Sequence, residues 1–251
     1  MSNESKRCSS IRPKSFLNVK VMNMTYCFVC QREIDLEINW LNLFSIKKES
    51  PLCIECEKQY KRISGSRCKR CSRRSKSSVC QDCEKWLTLF RGNDPLIKNV
   101  SIYEYNEQMK EFITKWKYRG DYILAEIFRD SFKRTFHHHF PKRVNYYAIV
   151  PIPLSKERLN VRAFNQAYML AAFLTKKPTE CFVRIHNEKQ AKKTRYERLM
   201  TKNPFQLTKR IDKPTILIDD IYTTGRTLRH AATLLRASGC PEVYAYTLIR
   251  G

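Results

Sequence analysis

The sequence predicts an α/β fold built on a parallel sheet and preceded by a small metal-stapled module. Three observations predict it. Eight cysteines stand in four CxxC pairs before residue 90, strand and helix patterns alternate from about residue 100, and Ile216–Leu228 joins a strand to a helix through a turn rich in carboxylates and hydroxyls. The chain has 251 residues, with 48 Lys and Arg against 24 Asp and Glu, a formal net charge of +24. That length suits one ordinary domain plus a small module and is enough to bury a core. The longest apolar run, Ala167–Leu174, falls well short of the roughly 18 residues a membrane span needs, and no secretory signal opens the chain. Its six glycines write neither a dinucleotide fingerprint nor a Walker A loop. These features predict a soluble, cytoplasmic protein, and +24 attracts polyanions, chiefly nucleic acid or anionic lipid.

Residues 1–23 are polar, basic and without periodicity, and read as a flexible leader. Residues 24–90 hold the four knuckles Cys27/Cys30, Cys53/Cys56, Cys68/Cys71 and Cys80/Cys83. Each knuckle turns two thiolates toward one point, and two knuckles make a tetrahedral zinc site. Four make two sites, most simply first with second and third with fourth. A crossed pairing fits the spacing as well, and a degraded or iron–sulfur site is the alternative to zinc. Such a segment has too little apolar surface to fold without metal. Cys8, Cys181 and Cys240 lack CxxC partners and read as small core residues. Lys58–Arg74 is dense in Lys and Arg and reads as a solvated basic face.

Arg91–Pro95 is a turn and a plausible boundary, opening a second domain over 91–251. Val100–Tyr105 reads as a strand, Glu107–Tyr118 as a helix, and a further helix runs through Phe136; His137, His138 and His139 read as solvated. Ala148–Val150 is a buried strand, and Phe164–Leu174 repeats apolar residues at helical spacing. Cys181–Ile185 is strand-like, and Lys189–Lys202 is polar and basic. Thr215–Asp219 is a strand, Thr227–Ser238 a helix with Gly239 just beyond it, and Val243–Ile249 a last strand. Strand, tight turn, helix and strand make a crossover unit, which requires parallel strands buried on both faces.

The segment Ile216–Leu228 carries the chemistry. An apolar strand ends in Asp219 and Asp220, a turn with one glycine follows, and a helix begins. Free amides and the positive helix end gather there, a site for an anion at the carboxyl edge of an α/β sheet. Thr223, Thr224 and Thr227 add hydroxyls. Two carboxylates beside an anion cradle need sugar hydroxyls or a metal to face. A ribose 5-phosphate bearing a Mg²⁺-bound pyrophosphate meets both demands.

This stretch resembles the motif with which type I phosphoribosyltransferases bind 5-phosphoribosyl 1-pyrophosphate (PRPP). With Val150–Arg158, Arg162–Gln166, Lys117–Asp121 and the four knuckles, the chain resembles the ComF family of competence proteins from about Met24 to Gly251. Two departures are Ala163, where the family usually has glycine, and Arg226, where the PRPP motif often has a small residue. The resemblance implies a double zinc-ribbon module before a type I phosphoribosyltransferase-like sheet domain. By position it implies that Asp219 and Asp220 bind ribose, directly or through Mg²⁺. The 5′-phosphate falls to Thr223, Thr224, Gly225, Arg226 and Thr227, and the pyrophosphate to Lys156, Arg158 and Arg162. The implied role is DNA uptake in natural transformation, with single-stranded DNA, competence helicase and recombination proteins as partners. A phosphoribosyltransferase of nucleotide salvage is the alternative, with an acceptor that the sequence does not identify. Lys189–Lys202 suits either a loop closing over PRPP or a DNA-contacting strip through Lys192, Lys193 and Arg195. Tyr60 and Tyr196 are candidate stacking platforms within the basic strips.

Overall fold

The computed structural model describes residues 26–34, 51–118, 122–141, 144–185 and 203–251. The chain divides into two compact units, residues 1–53 and 54–251. In the first, Tyr26 bridges Glu33, the Cys27 amide bonds the Arg32 carbonyl at 2.7 Å, and Gln31 turns the knuckle with φ of 60°. The second unit holds the same device 41 residues later. There Arg67 bridges Arg74, the Cys68 amide bonds the Arg73 carbonyl at 2.7 Å, and Ser72 has φ of 63°.

Every named helix and strand of the described residues lies in the second unit. Short α1 (Ile54–Gln59) precedes the third knuckle, and α2 (Gln81–Leu89) carries Cys83 of the fourth. Then come β1 (Asn99–Glu104), α3 (Glu107–Tyr118), a 3₁₀ stretch (Tyr122–Phe128) and α4 (Arg129–His139). Asn106 starts α3 by accepting from the Met109 amide at 2.9 Å. Next are β2 (Ala148–Pro151), α5 (Lys156–Arg162) and α6 (Gln166–Leu174). The chain closes with β3 (Phe182–Arg184), β4 (Phe205–Leu207), β5 (Thr215–Tyr222), α7 (Arg226–Ala237) and β6 (Val243–Arg250).

The main sheet runs β1-β6-β5-β2 with every pair parallel. Its central strands are apolar on both faces, as a parallel sheet under helices requires: Ile216, Leu217, Ile218, Val243, Ala245, Leu248 and Ile249 are fully buried. Aromatic side chains fill the space under α4, where Tyr246 reaches across to donate to the Phe132 carbonyl at 2.7 Å. Elsewhere one buried cluster joins Cys68, Cys71, Cys80 and Cys83 to Val150, Leu217, Ala245 and the apolar stripe of α7. The third and fourth knuckles therefore share a core with the sheet. Residues 61–63 also pair along the outer edge of β1, with the Ile63 amide on the Ile102 carbonyl at 2.8 Å. That contact covers an edge strand that would otherwise present open hydrogen-bonding groups.

Several expectations are corrected. The strand expected to end at Asp219 continues to Tyr222, because its pairing with β6 persists to Tyr222↔Arg250. The helix expected through Phe136 is a 3₁₀ stretch followed by α4 as far as His139. The strand-like run at 181–185 is a strand as expected, β3, and it forms a separate antiparallel pair with β4. Tyr60 is no platform: it is buried edge-on against Phe112 and Phe128. The basic face at 58–74 is only partly free, since Arg70 pairs with Asp94, Arg73 with Asp82 and Arg74 with Glu104. Cys181 and Cys240 are core residues as expected, and among the described residues no helix is long and apolar enough to cross a membrane.

A candidate phosphate site and two cysteine centres

The carboxyl end of β5 and the start of α7 form a cleft lined by Asp219, Ile221–Gly225, Arg226, Thr227 and Leu228. Thr223 and Thr224 are exposed at its rim, and Gly225 is the N-cap of α7 in the left-handed region, φ 75°. A Cβ on Gly225 would stand 2.5 Å from Arg229 Nη1 and closer still to Tyr222 Oη. Only glycine fits. Among the described residues the amides of Thr223, Thr224, Gly225 and Thr227 have no protein acceptor, so four donors stand at a positive helix end.

Asp219 and Asp220 lie within β5 beside this cleft. Asp220 pairs with Lys117 near the end of α3. Burial, then the charge of Asp220, push the Asp219 carboxyl well above the ordinary carboxylate range. Among the described residues Lys117 is the one salt-bridge partner of the two acids, so a further cation or a set of sugar hydroxyls suits the pair. The donor set fits Mg²⁺ or ribose. Lys117 opens the 117–121 motif, and its place at the end of an amphipathic helix carries no sequence signal that it pairs with an acid.

The cations expected around pyrophosphate are not equivalent. Lys156 and Arg158 are exposed on α5, whose N-cap Ser155 accepts from the Arg158 amide at 3.3 Å. Arg162 is tied down, donating to Gln166 Oε1 at 3.2 Å and lying over the Tyr118 ring. Ala163 closes α5 at φ 63°, the conformation that makes glycine the favoured residue there. Asn165 then joins α6 to the loop after β2, donating to the Ile152 carbonyl and accepting from the Ala167 amide, both at 3.0 Å. Arg184 of β3 is a further cation at the site. Its pKa is lowered by burial and by the charge of Arg158 against the pull of Asp219, and the pKa of His230 on α7 is lowered by burial, Arg226 and Arg184. It is the sole charge in an apolar strand-like run, a signal that could have found it.

Each set of four sulfurs, Cys27/Cys30/Cys53/Cys56 and Cys68/Cys71/Cys80/Cys83, lies within 4.8 Å. The simple pairing of knuckles is the one adopted. Either group could hold one metal ion. In the second group all four cysteines are buried, Cys71 and Cys80 sulfurs stand 3.6 Å apart, and the Cys80 amide donates to the Cys68 sulfur at 3.3 Å. Hydrogen bonding with Cys83 pulls Cys71 down to about 4, with Arg250 assisting against burial. The same bond, with burial, pushes Cys83 up, and burial raises Cys80. In the first group burial raises Cys27, but amide donors from Cys30, Cys53 and Val29 outweigh it and bring the thiol to about 6. Four thiols in one pocket cannot all ionise without a cation, so the donor set fits a thiophilic metal.

Lys192, Lys193, Arg195 and Tyr196, with Cys8 and the last three residues of the 117–121 motif, lie outside the described residues.

No family model matches the chain. A competence protein ComFC of Bacillus subtilis is 39% identical over 228 residues, covering 89% of this chain and 94% of that one. The chain belongs to the ComFC family of competence proteins. A second ComFC relative, from Streptococcus pneumoniae, is 30% identical over 89% of this chain and 99% of its own length. Competence protein F of Haemophilus influenzae is 26% identical over 84% and 99%. Among solved structures, a purine phosphoribosyltransferase of Pyrococcus horikoshii is 16% identical, with a TM-score of 0.25, over 61% of this chain and 87% of that one. The fold assignment for this ComFC-family chain rests instead on its own parallel sheet and cysteine centres.

Proposed function

We propose that this chain is a DNA-uptake protein that binds single-stranded DNA, holds two zinc ions and carries a PRPP site at the β5–α7 turn. The observation that carries the PRPP site is the row of acceptor-free amides at Thr223, Thr224, Gly225 and Thr227 beside an acid pair with one lysine for two carboxylates. A phosphate with an adjacent diol suits that combination better than either group alone. The amides and the Thr223, Thr224 and Thr227 hydroxyls hold the 5′-phosphate, and Asp219 and Asp220 accept from the ribose hydroxyls. Mg²⁺, when bound with PRPP, neutralises pyrophosphate charge. Lys156 and Arg158 stand free for the same charge, while Arg162 acts chiefly by fixing Gln166 and Tyr118. Where transfer occurs, stabilising the departing pyrophosphate is the main chemical task, and it needs no protein nucleophile.

The DNA reading is supported by the +24 charge and by membership in a competence family. The test measures PRPP binding by calorimetry and pyrophosphate release, each with and without single-stranded DNA. The expected result is Mg²⁺-dependent PRPP binding with no turnover on free nucleobases. Nucleobase-dependent pyrophosphate release without DNA would establish the salvage enzyme instead.

A further inference from the structure

The phosphate turn is held from behind, and two of the three side chains that hold it stand beside the second cysteine centre. Four consecutive carbonyls, of Tyr222, Thr223, Thr224 and Gly225, are each bound by a side-chain donor. Arg250 Nη1 donates to Tyr222 O at 3.1 Å and Thr223 O at 3.0 Å. Trp86 Nε1 donates to Thr224 O at 2.9 Å, and Arg229 Nη1 lies 3.4 Å from Gly225 O. A planar trans peptide points the carbonyl of one residue opposite to the amide of the next. Binding these carbonyls therefore turns the acceptor-free amides of residues 223–225 away from their donors, toward where the ligand's phosphate belongs.

Both principal donors are rooted in the cysteine centre. Arg250 is buried, its Nη2 lies 3.7 Å from Cys71 Sγ, and its guanidinium covers the Tyr222 ring. Trp86 sits one turn beyond Cys83 on α2, with the Arg229 guanidinium over its ring at 4.5 Å. Asp94 completes the frame. It is almost wholly buried and bonds Arg229 on α7 and Arg70, which lies between Cys68 and Cys71. Arg250 therefore holds three partners at once, a sulfur that would bind the metal and two carbonyls that must not face a phosphate.

We propose that Arg250 and Trp86 are positioning residues through which the second cysteine centre shapes the phosphate turn, so that metal at Cys68, Cys71, Cys80 and Cys83 and phosphate at Thr223–Thr227 bind cooperatively. The idea rests on the phosphate site proposed above. By linkage, whatever factor metal loading adds to phosphate affinity, phosphate adds to metal affinity.

The experiment uses the full chain loaded with zinc, its content fixed by elemental analysis, with ribose 5-phosphate as probe. Amide hydrogen exchange of Arg226, Arg229 and Gly251, whose amides donate to Thr224 Oγ1, the Gly225 carbonyl and the Tyr222 carbonyl of the turn, is compared with that of the β5 interior in the wild type, Arg250→Met, Arg250→Lys and Trp86→Phe. Exchange of the turn is expected to rise about tenfold in Arg250→Met and about threefold in Trp86→Phe, with β5 unchanged and zinc retained. Lysine can supply one contact but cannot bridge both sides, so Arg250→Lys should remain closer to Met than to Arg. Ribose 5-phosphate affinity should fall by similar factors. Stripping zinc from the wild type should loosen the turn, and stripping it from Arg250→Met should add little, the non-additivity expected of a shared path. Should Arg250→Met unfold, Trp86→Phe decides by the same readouts. Unchanged turn exchange in zinc-loaded Trp86→Phe and Arg250→Lys would overturn the proposal. If the wild type fails to bind ribose 5-phosphate, the phosphate reading falls, while the exchange arm still decides whether the cysteine centre holds the turn.

Discussion

Asp219 works against the fold that contains it. Burial and the neighbouring Asp220 raise its pKa above the ordinary 3.8, so folding favours the protonated form. That favourable contribution is complete below the ordinary value and is lost as pH rises through the raised pKa of Asp219. Above the ordinary value the buried carboxyl therefore costs stability, increasingly so until pH passes the raised pKa. Asp219→Asn is expected to raise Tm at pH 7, and the gain should vanish near pH 4. Ligand binding has the opposite sign, because Mg²⁺ and ribose hydroxyls need the carboxylate, so PRPP affinity should rise with pH through the same window. The variant should bind Mg²⁺–PRPP at least tenfold more weakly. A Tm that falls in Asp219→Asn would mean that the charge is structural. Destabilising groups held at a site of use are a common signature of function, and Ala163 at φ 63° adds a smaller strain in the same neighbourhood.

At the scale of elements, the turn between β5 and α7 concentrates the constraints. Gly225 faces Tyr222 and Arg229, which are both buried, and Arg229 is locked by Asp94. Neither neighbour can withdraw. Gly225→Ala should cost more than the roughly 1–2 kcal/mol of an ordinary left-handed residue, about 3 kcal/mol by overpacking. It should also shift Trp86 fluorescence, since Trp86 is bonded to Thr224 O. A variant with wild-type stability and emission would show that the turn is softer than its packing indicates. Local pattern made this turn legible: apolar run, acids, hydroxyls, glycine and helix follow one another within thirteen residues. The eight cysteines were equally legible, because CxxC fixes its geometry within a knuckle. Short elements were not. The seven-residue α5 and the three-residue β4 offer too few residues for a period to register, and β3, strand-like in sequence, finds its partner only through long-range pairing. Arg229, Arg250 and Asp94 escaped notice for a related reason. Each looks like an ordinary surface charge in sequence, and only tertiary contact makes it a buried anchor.

At the scale of the whole molecule, the net charge overstates the cation available to a polyanion. Arg70, Arg73, Arg74, Lys117 and Arg229 are engaged with acids, whereas Lys58, Lys61, Lys69, Lys156 and Arg158 are exposed. Ion-paired arginines release few counterions when DNA arrives, so binding strength should follow the exposed set rather than the formal +24. Affinity for single-stranded DNA should show little sequence preference and fall steeply with salt. About five phosphate contacts at roughly −0.7 each give a log–log slope near −3.5. Charge reversal at Lys192, Lys193 and Arg195 together should weaken binding alike on all sequences. It should also flatten the slope by about 2, three contacts at the same increment. Reversal at Arg70 is the contrasting control: it removes the partner of a buried Asp94 and should lower stability while leaving the slope of the surviving folded protein nearly unchanged. Fluorescence anisotropy across a salt series measures both. A slope near zero, or a slope that responds to Arg70 but not to the three distal cations, would place the DNA contacts elsewhere or remove them altogether.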